Sequence, residues 1–313
     1  MFLMFNINDI MMDFSAALPT FLVTLREGFE ATLVVGIVFA CLRKAQQKQI
    51  YSWVYGGVVA GVIASIVVAL LLGGILQEIE TSDSTYAPVI KQFLEMGFGL
   101  FAIAMLSWML LWMTQQAKSL KSEVEGVVSS ALQQNSKAGW GIFSLIFIAV
   151  LREGFETVLF IIAKFQADWK PATFGAVVGL TTAIFLGLLL FKLGIRINIR
   201  LFFQVMGVFL LLIVAGLSLG VLLHLDKGFA LLSQLNPSFN WCLFQGDSCL
   251  LGAQVWDASG FLPDKQFPGI ILKALFGYRQ TLYLLQIIIY GLFLTIVGGF
   301  YFQTLQSKST LIK

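Results

Sequence analysis

Charged residues are scarce in this sequence of 313 residues, where Asp, Glu, Lys and Arg together make up 12% of the chain. A soluble globular protein contains about 25%. Hydrophobic residues account for 58% of the chain, and the mean hydropathy is +0.87. This composition excludes a water-soluble enzyme, and since the chain has no concentrated basic patch, it also argues against nucleic-acid binding.

Histidine and cysteine are nearly absent, with one and three copies. His224 falls at the predicted outer end of a membrane span, where a lone histidine is more often a hydrogen-bonded interface residue than a metal ligand. Cys242 and Cys249 fall in a predicted outer loop, where both a disulfide and two free thiols are compatible with the sequence. No pattern indicates a catalytic or redox centre, so we expect neither an enzyme nor a permanently bound cofactor.

Basic residues are absent before Arg26, so the chain lacks the positive N-terminal segment of a cleaved signal peptide, and we expect its first apolar run to be a retained helix. Recurring apolar runs predict an all-α membrane protein with seven transmembrane helices in a lipid bilayer. The predicted spans are 16–41, 53–76, 92–114, 141–163, 172–193, 201–224 and 281–303.

Lys and Arg concentrate after every second predicted span. They are Arg43, Lys44 and Lys48; Lys118, Lys121 and Lys137; Lys192, Arg196 and Arg200; and Lys308 and Lys313. Positive residues mark the cytoplasmic side of a membrane protein. This alternation predicts that the N-terminus lies outside and the C-terminus inside.

One string of six residues, Leu-Arg-Glu-Gly-Phe-Glu, occurs twice, at 25–30 and at 151–156. Each copy lies inside a predicted span and places one arginine and two glutamates among apolar residues. A charge at the centre of a bilayer costs roughly 2.5–3.5 kcal/mol on insertion scales, so ionisable residues there are by default candidates for function. The repeated motif is therefore the main indication of what the chain does.

The duplication extends beyond the motif. Tyr-Gly-Gly-Val-Val at 55–59 is similar to Phe-Gly-Ala-Val-Val at 174–178. The chain thus divides into two three-helix repeats, 16–114 and 141–224, followed by an outer loop at 225–280 and the seventh helix at 281–303, all within one integral membrane domain over 1–313. Because three spans separate the two motifs, the second repeat enters the membrane inverted, an arrangement common in transporters whose substrate site lies between the repeats.

Small residues four apart predict where these helices pack closely. The pairs are Gly57 with Gly61, Gly175 with Gly179 and Gly216 with Gly220. Such pairs are frequent in membrane helices, so we assign them to packing and not to chemistry.

Within each motif the two glutamates lie three residues apart and share a helix face, and the arginine lies four residues before the second of them. The residues concerned are Glu27, Glu30 and Arg26 in the first motif and Glu153, Glu156 and Arg152 in the second. If the two helices cross, four carboxylates converge, with the two arginines orienting them or balancing their charge. An oxygen-only donor set suits hard cations, and Fe(III) would offset four glutamates better than a monovalent ion.

These residues resemble a known family. Two Arg-Glu-Gly-x-Glu motifs in the first and fourth of seven helices resemble the oxidase-dependent ferric iron permeases of fungi and bacteria, whose usual motif has Leu where this chain has Phe29 and Phe155. The segment Trp-Met-Thr-Gln-Gln-Ala-Lys-Ser-Leu-Lys at 112–121 is similar to the family's segment after the third helix. Val-Trp-Asp-Ala-Ser-Gly at 255–260 resembles its last outer loop, and Gly-Tyr at 277–278 resembles the pair before the final helix.

The resemblance implies a membrane permease that imports iron as its substrate, with Fe(III) bound by the motif glutamates during passage. It also implies a separate oxidase or iron donor outside the membrane. Glu95 and Asp257 lie in family-like positions, which suggests accessory roles, although a solvated interfacial acid and a turn-capping aspartate fit those positions as well. The short termini are similar to those of bacterial members and favour a bacterial inner membrane.

Three alternatives stay open. A smaller branch of the family takes up lead, so another heavy-metal cation is one alternative. A second is a proton-coupled carrier of a small organic solute, with the glutamates as proton relays. A third is a membrane scaffold or sensor in which the ion pairs within each motif merely hold helices together. The sequence also leaves the oligomeric state open, a homo-oligomer included.

Overall fold

The computed structural model describes residues 7–81, 85–116, 120–133, 138–164, 169–192, 198–236, 242–244, 248–264 and 266–307. The α-helices are α1 (Ile7–Lys44), α2 (Tyr51–Thr81), α3 (Ala87–Gln116), α4 (Leu120–Gln133), α5 (Ala138–Lys164), α6 (Trp169–Phe191), α7 (Ile199–Leu235), α8 (Gly269–Phe276), α9 (Leu284–Phe293) and α10 (Gly299–Ser307). A 3₁₀ turn at Lys48–Ile50 precedes α2, and a π-helical turn at Leu294–Gly298 joins α9 to α10.

The apolar runs of the sequence form long helices. Among the described residues, five are long and apolar enough to cross a membrane: Lys48–Ile75, Ala87–Leu111, Pro171–Phe191, Leu201–Leu235 and Leu284–Leu305. Helices α1 and α5 are 38 and 27 residues long, and each carries the three charged residues of a motif. The chain is thus an all-α membrane protein, as predicted, and the count of seven spans stays a prediction.

Helices α1 and α6 lie side by side and run in the same direction. Their contacts advance together along both helices: Ala17 meets Gly175, Phe21 meets Gly179, Thr32 meets Gly187 and Gly36 meets Phe191. Close approach depends on the glycines, because a Cβ on Gly175 would collide with the carbonyl oxygen of Ala17. The predicted packing role of this small-residue pair is confirmed.

Helices α2 and α5 form a second parallel pair with matching contacts. Gly57 approaches the carbonyl oxygen of Phe143, and Gly61 approaches that of Phe147. Phe21 and Phe147 each lie four residues before the first residue of a motif. The first helix of each predicted repeat therefore packs on the second helix of the other repeat through equivalent residues, while α3 and α7 pack on each other.

The segment before the last helix is more ordered than the predicted outer loop suggested. Its strands β1 (Gln254–Asp257) and β2 (Thr281–Tyr283) form a two-stranded antiparallel sheet, so the predicted seventh helix begins at Leu284. Cys242 and Cys249 form a disulfide. Helix α8 packs against α1 and α7, and Gly277, which has a left-handed backbone with φ of 69°, lies directly against Gly216 of α7.

Candidate metal site

Both motifs lie well inside their helices, and α1 and α5 contact each other. Each motif therefore has its backbone hydrogen bonds satisfied within its helix, as a membrane interior requires. The arginine and glutamate side chains are the groups left to be satisfied by tertiary contacts.

In the first motif a buried arginine holds both glutamates. The Arg26 side chain is 1% exposed, its Nη1 lies 2.7 Å from Oε1 of Glu27, and its Nη2 lies 3.3 Å from Oε1 of Glu30. Nη1 also donates a hydrogen bond to Sδ of Met109 on α3, at 3.3 Å. The guanidinium is thus fixed by two carboxylates of its own helix and by a thioether of another.

In the second motif the arginine lies nearer the surface of the helix bundle. The Arg152 side chain is 44% exposed, and its Nε donates a hydrogen bond of 3.1 Å to Oε1 of Glu156. The same Nε lies 3.9 Å from Oε1 of Glu153. The closer partner of Arg152 is thus Glu156, the second glutamate of its motif. The closer partner of Arg26 is Glu27, the first glutamate of its motif.

Three carboxyl groups converge between α1 and α5. Glu27, Glu153 and Glu156 each contribute an oxygen, and these three atoms lie within 4.8 Å of one another. Two oxygens that bind one cation from opposite sides at about 2.0–2.6 Å are roughly 4–5 Å apart. The spacing is therefore suited to a single small cation. Glu30, the fourth predicted ligand, lies outside this group of three.

Each of the four glutamates has one buried oxygen without a hydrogen bond in the described part of the chain. The atoms are Oε2 of Glu27, Oε1 of Glu30, Oε2 of Glu153 and Oε2 of Glu156. A buried acceptor without a hydrogen bond costs about 1–3 kcal/mol, and more when it is charged. A cation with oxygen ligands would satisfy those of Glu27, Glu153 and Glu156, whereas Oε1 of Glu30 faces Nη2 of Arg26 at 3.3 Å. The ring-nitrogen or thiolate donors typical of softer metals have no part in the group of three.

Glu95 lies apart from this group, in the third turn of α3. Its side chain is 3% exposed, and its Oε2 lies 2.9 Å from Nδ1 of His224 on α7. Its other oxygen lies 4.0 Å from Nζ of Lys91. The structure thus makes Glu95 a buried, paired acid between α3 and α7 instead of a solvated one at the interface. His224, the single histidine of the chain, thus has a carboxylate partner.

Asp257 lies at the end of β1, with its carboxylate in solvent. Its Oδ1 accepts a hydrogen bond of 2.9 Å from the backbone N–H of Ser259. Hydrogen bonds from Ser259 lower the pKa of the Asp257 carboxyl. These contacts are those of an aspartate that stabilises a turn, and an accessory role in iron transport stays a prediction.

Sequence reasoning missed Met109. A methionine in an apolar run has no local signal of a polar contact, because its thioether is a weak acceptor in a side chain that usually fills apolar space. Ser107 and Thr24 were also missed, and their hydroxyl oxygens are buried without a hydrogen-bond partner among the described residues. A scan for polar side chains inside the predicted spans would have found these two.

Comparison with known proteins gives a consistent result. The iron permease FTR1 family matches residues 17–302 of this chain. An uncharacterised protein of Synechocystis is 50% identical over 299 residues, which cover 95% of this chain and 96% of that protein.

Several relatives have names that state a function. The ferrous iron permease EfeU of Escherichia coli strain 536 is 31% identical over 264 residues, covering 83% of this chain and 86% of that protein. EfeU of Yersinia pseudotuberculosis is 29% identical over 282 residues, with 90% of each chain covered. No solved structure shows a significant match.

Proposed function

Because this chain belongs to the iron permease FTR1 family, we propose that it imports iron, as Fe(III), through the glutamates of its two motifs. As a member of that family it is an iron permease of the membrane, and the family is one of transporters and not of enzymes. The bacterial relatives and the apolar helices support a bacterial plasma membrane as its location.

One observation carries the proposed mechanism. Oxygens of Glu27, Glu153 and Glu156 come from two different helices and lie within 4.8 Å of one another, and each residue keeps an oxygen without a hydrogen bond among the described residues. Ion pairs that served only to hold helices together would be expected to use these oxygens. In the proposed role the glutamates are ligands for the passing ion, and Arg26 and Arg152 limit the repulsion between the acids in its absence.

The proposed route uses seven spans arranged as two inverted repeats, with the N-terminus outside. The matched pairing of α1 with α6 and of α2 with α5 supports this arrangement, because equivalent residues make the contacts in both pairs. The carboxyl groups then lie between the first helices of the two repeats. A shift of one helix pair against the other would expose the ion first to the outside and then to the cytoplasm.

The proposed oxidation state rests on the donor set. Oxygen-only ligands and an excess of negative charge favour a hard, highly charged ion, and Fe(III) is harder than Fe(II). The relatives in Escherichia coli and Yersinia are named ferrous iron permeases. An oxidase or iron donor outside the membrane would reconcile an Fe(II) supply with Fe(III) at the carboxylates, and we include such a partner in the proposal.

The test is uptake of radioactive iron into proteoliposomes, supplied as an Fe(III) chelate or as Fe(II) kept reduced. Native protein would be compared with Glu27→Gln and Glu153→Gln, and with Glu125→Gln as a matched control, since Glu125 is an exposed acid on α4. Circular dichroism and gel filtration would establish that all variants are folded. Lead and manganese would be added as competitors.

We expect Fe(III) uptake by native protein and by the Glu125 variant, and loss of uptake in the two site variants. Uptake of Fe(II) alone by native protein, without an oxidant, would overturn the Fe(III) assignment but not the permease. Unchanged uptake in both site variants would overturn the carboxylate site. Competition by lead at equal concentration would favour a broader heavy-metal permease.

A further inference from the structure

A groove at one end of the bundle is separate from the carboxylate site. It lies between α1, α2 and the end of α6 and has a volume of about 770 Å³. Pockets of roughly 300–1,000 Å³ typically hold small molecules. Thr32 lines the end nearer the first motif, and Arg43, Lys44 and Lys192 line the opposite end, on the predicted cytoplasmic side.

These three cations are available to a ligand. All three side chains are exposed, and in the described part of the chain no carboxylate lies within 4.0 Å of their charged atoms. Basic residues at a helix end can also serve the last carbonyl groups. Three of the carbonyls in the last turns of α1 and α6 already accept backbone N–H groups: Cys41 from Ala45 at 2.9 Å, Leu42 from Gln47 at 3.0 Å and Leu188 from Lys192 at 2.9 Å.

The walls of the groove are apolar and face the outside of the bundle. Ile184, Leu188 and Phe191 of α6 line one side, and each is at least 39% exposed. Tyr51 and Tyr55 at the start of α2 line the other side, where their rings pack on Phe39 with centroids 5.2 and 5.3 Å away. Tyrosine beside basic residues is typical of the level of lipid headgroups.

We propose that this groove binds an anionic phospholipid, with the phosphate between the three basic side chains and an acyl chain along α6. Basic pockets between transmembrane helices are known to bind anionic headgroups. Three positive charges would repel a metal cation, so the groove is unsuited to the transported ion. The exposed apolar walls have no role for a small soluble anion, whereas they would contact an acyl chain.

The lipid would act on the helix pair that carries the first motif. Gly36 of α1 packs against the Phe191 ring, and Gly187 of α6 packs against Thr32, so both helices contribute to the groove. A lipid bound across the ends of α1 and α6, on the surface of the bundle, would stabilise this helix pair. Lipid binding in this groove is independent of which ion is transported.

Native mass spectrometry of the full chain, released from vesicles of equal phosphatidylglycerol and phosphatidylcholine, tests the proposal. We expect retained phosphatidylglycerol on native protein. Lys44→Gln with Lys192→Gln should weaken its binding about 25-fold, because each basic residue contributes about fivefold at a membrane surface. Lys48→Gln with Lys227→Gln is the matched control of equal charge loss, since neither residue lines the groove.

A second variant tests the walls without changing charge. Leu188→Trp places a large side chain on an exposed groove position, so it should fold normally and still displace the lipid. Equal retention in the groove and control variants would overturn the proposal. So would a stabilisation of native protein by inorganic phosphate equal to that by the lipid, which would indicate a soluble anion. A lipid-free dimer that Leu188→Trp dissociates would show that a second copy covers the groove.

Discussion

In the first copy of the motif the Arg26 guanidinium is 1% exposed and contacts two carboxylates and a thioether, whereas in the second copy Arg152 is 44% exposed. The two strings of six residues are identical. Their environments differ because Arg26 of α1 points into the bundle and reaches Met109 of α3, while Arg152 lies on an exposed stripe of α5 that includes Ser144 and Ile148. Position in the bundle, and not the motif itself, determines how deeply each arginine is buried.

This difference suggests unequal roles. A buried guanidinium between two carboxylates is costly to remove, because each carboxylate is then left buried without a counter-charge. A half-exposed guanidinium can be replaced by water or can change its partner. We therefore expect the first motif to contribute more to stability, and both motifs to contribute to ion binding.

The largest expected effect comes from the arginines. Arg26→Gln should destabilise the protein by about 3–5 kcal/mol, the usual cost of breaking a buried ion pair. Arg152→Gln should cost only about 1 kcal/mol, because Arg152 is half-exposed and water can take its place beside the buried Glu156 carboxylate. Thermal unfolding of the purified proteins in detergent would measure both, with the exposed Lys48→Gln as control. Equal losses of stability in the two arginine variants would show that the different exposure of these side chains does not affect stability.

The next effect concerns the second glutamate of each motif. Glu156 belongs to the group of three carboxyl groups and Glu30 does not. A charge about 4 Å away contributes roughly 4 kcal/mol at an effective dielectric constant of 20, so Glu156→Gln should weaken Fe(III) binding by more than about 100-fold. Glu30→Gln should weaken it by only about tenfold, through its longer distance from the ion.

Equilibrium dialysis of the detergent-purified variants against radioactive Fe(III) would give both affinities. Since the two substitutions remove the same charge from equivalent positions, each serves as the control for the other. If Glu30→Gln lost as much affinity as Glu156→Gln, the ion would be held by all four glutamates, as the sequence alone predicts.

Much of this site could be predicted from sequence, because identical charged strings in apolar runs mark both helices. The inequality of the two copies could not, since it arises from residues distant in sequence, such as Met109 beside Arg26. The helix pairing shows the same limit. The similar strings at 55–59 and 174–178 place Gly56 opposite Gly175, whereas the close contacts make Gly57 the counterpart of Gly175. The contacts between helices determine which residues of α2 and α6 are equivalent. A five-residue similarity is too short to reveal an offset of one residue.

A smaller effect is expected at the glycines inside the motifs. A Cβ on Gly28 would lie 3.0 Å from Cβ of Ala183, a tight but tolerable contact, whereas one on Gly154 would lie 2.6 Å from Cβ of Ser65 and collide with its hydroxyl. Alanine gains about 1 kcal/mol over glycine inside a helix, and overpacking costs about 1–3 kcal/mol. Gly28→Ala should thus be nearly neutral. Gly154→Ala meets two atoms of Ser65 too closely, which places its cost in the upper part of that range, and we expect a net loss of about 1–2 kcal/mol.

Thermal unfolding again provides the measurement. Ser65→Gly in the Gly154→Ala background should recover most of the loss, because it removes the side chain that collides. A Gly154→Ala variant as stable as native protein would mean that α2 and α5 can separate slightly at no cost. The α2–α5 pair would then tolerate an added methyl group as well as the α1–α6 pair does.

The smallest expected effect tests the contact that distinguishes the first motif. Met109→Leu keeps the volume of the side chain but removes the sulfur, which lies 3.3 Å from Nη1 of Arg26. A volume-conserving swap alone costs less than about 1.5 kcal/mol, so Met105→Leu, four residues earlier on α3, is measured as the control.

If the sulfur helps to hold Arg26, Met109→Leu should cost about 0.5–1 kcal/mol more than the control, the contribution of a weak hydrogen bond. That excess should disappear in the Arg26→Gln background, where the donor is absent, and should persist in Arg152→Gln. An excess that survives Arg26→Gln would mean that Met109 acts by packing, and the burial of Arg26 would then owe nothing to the thioether.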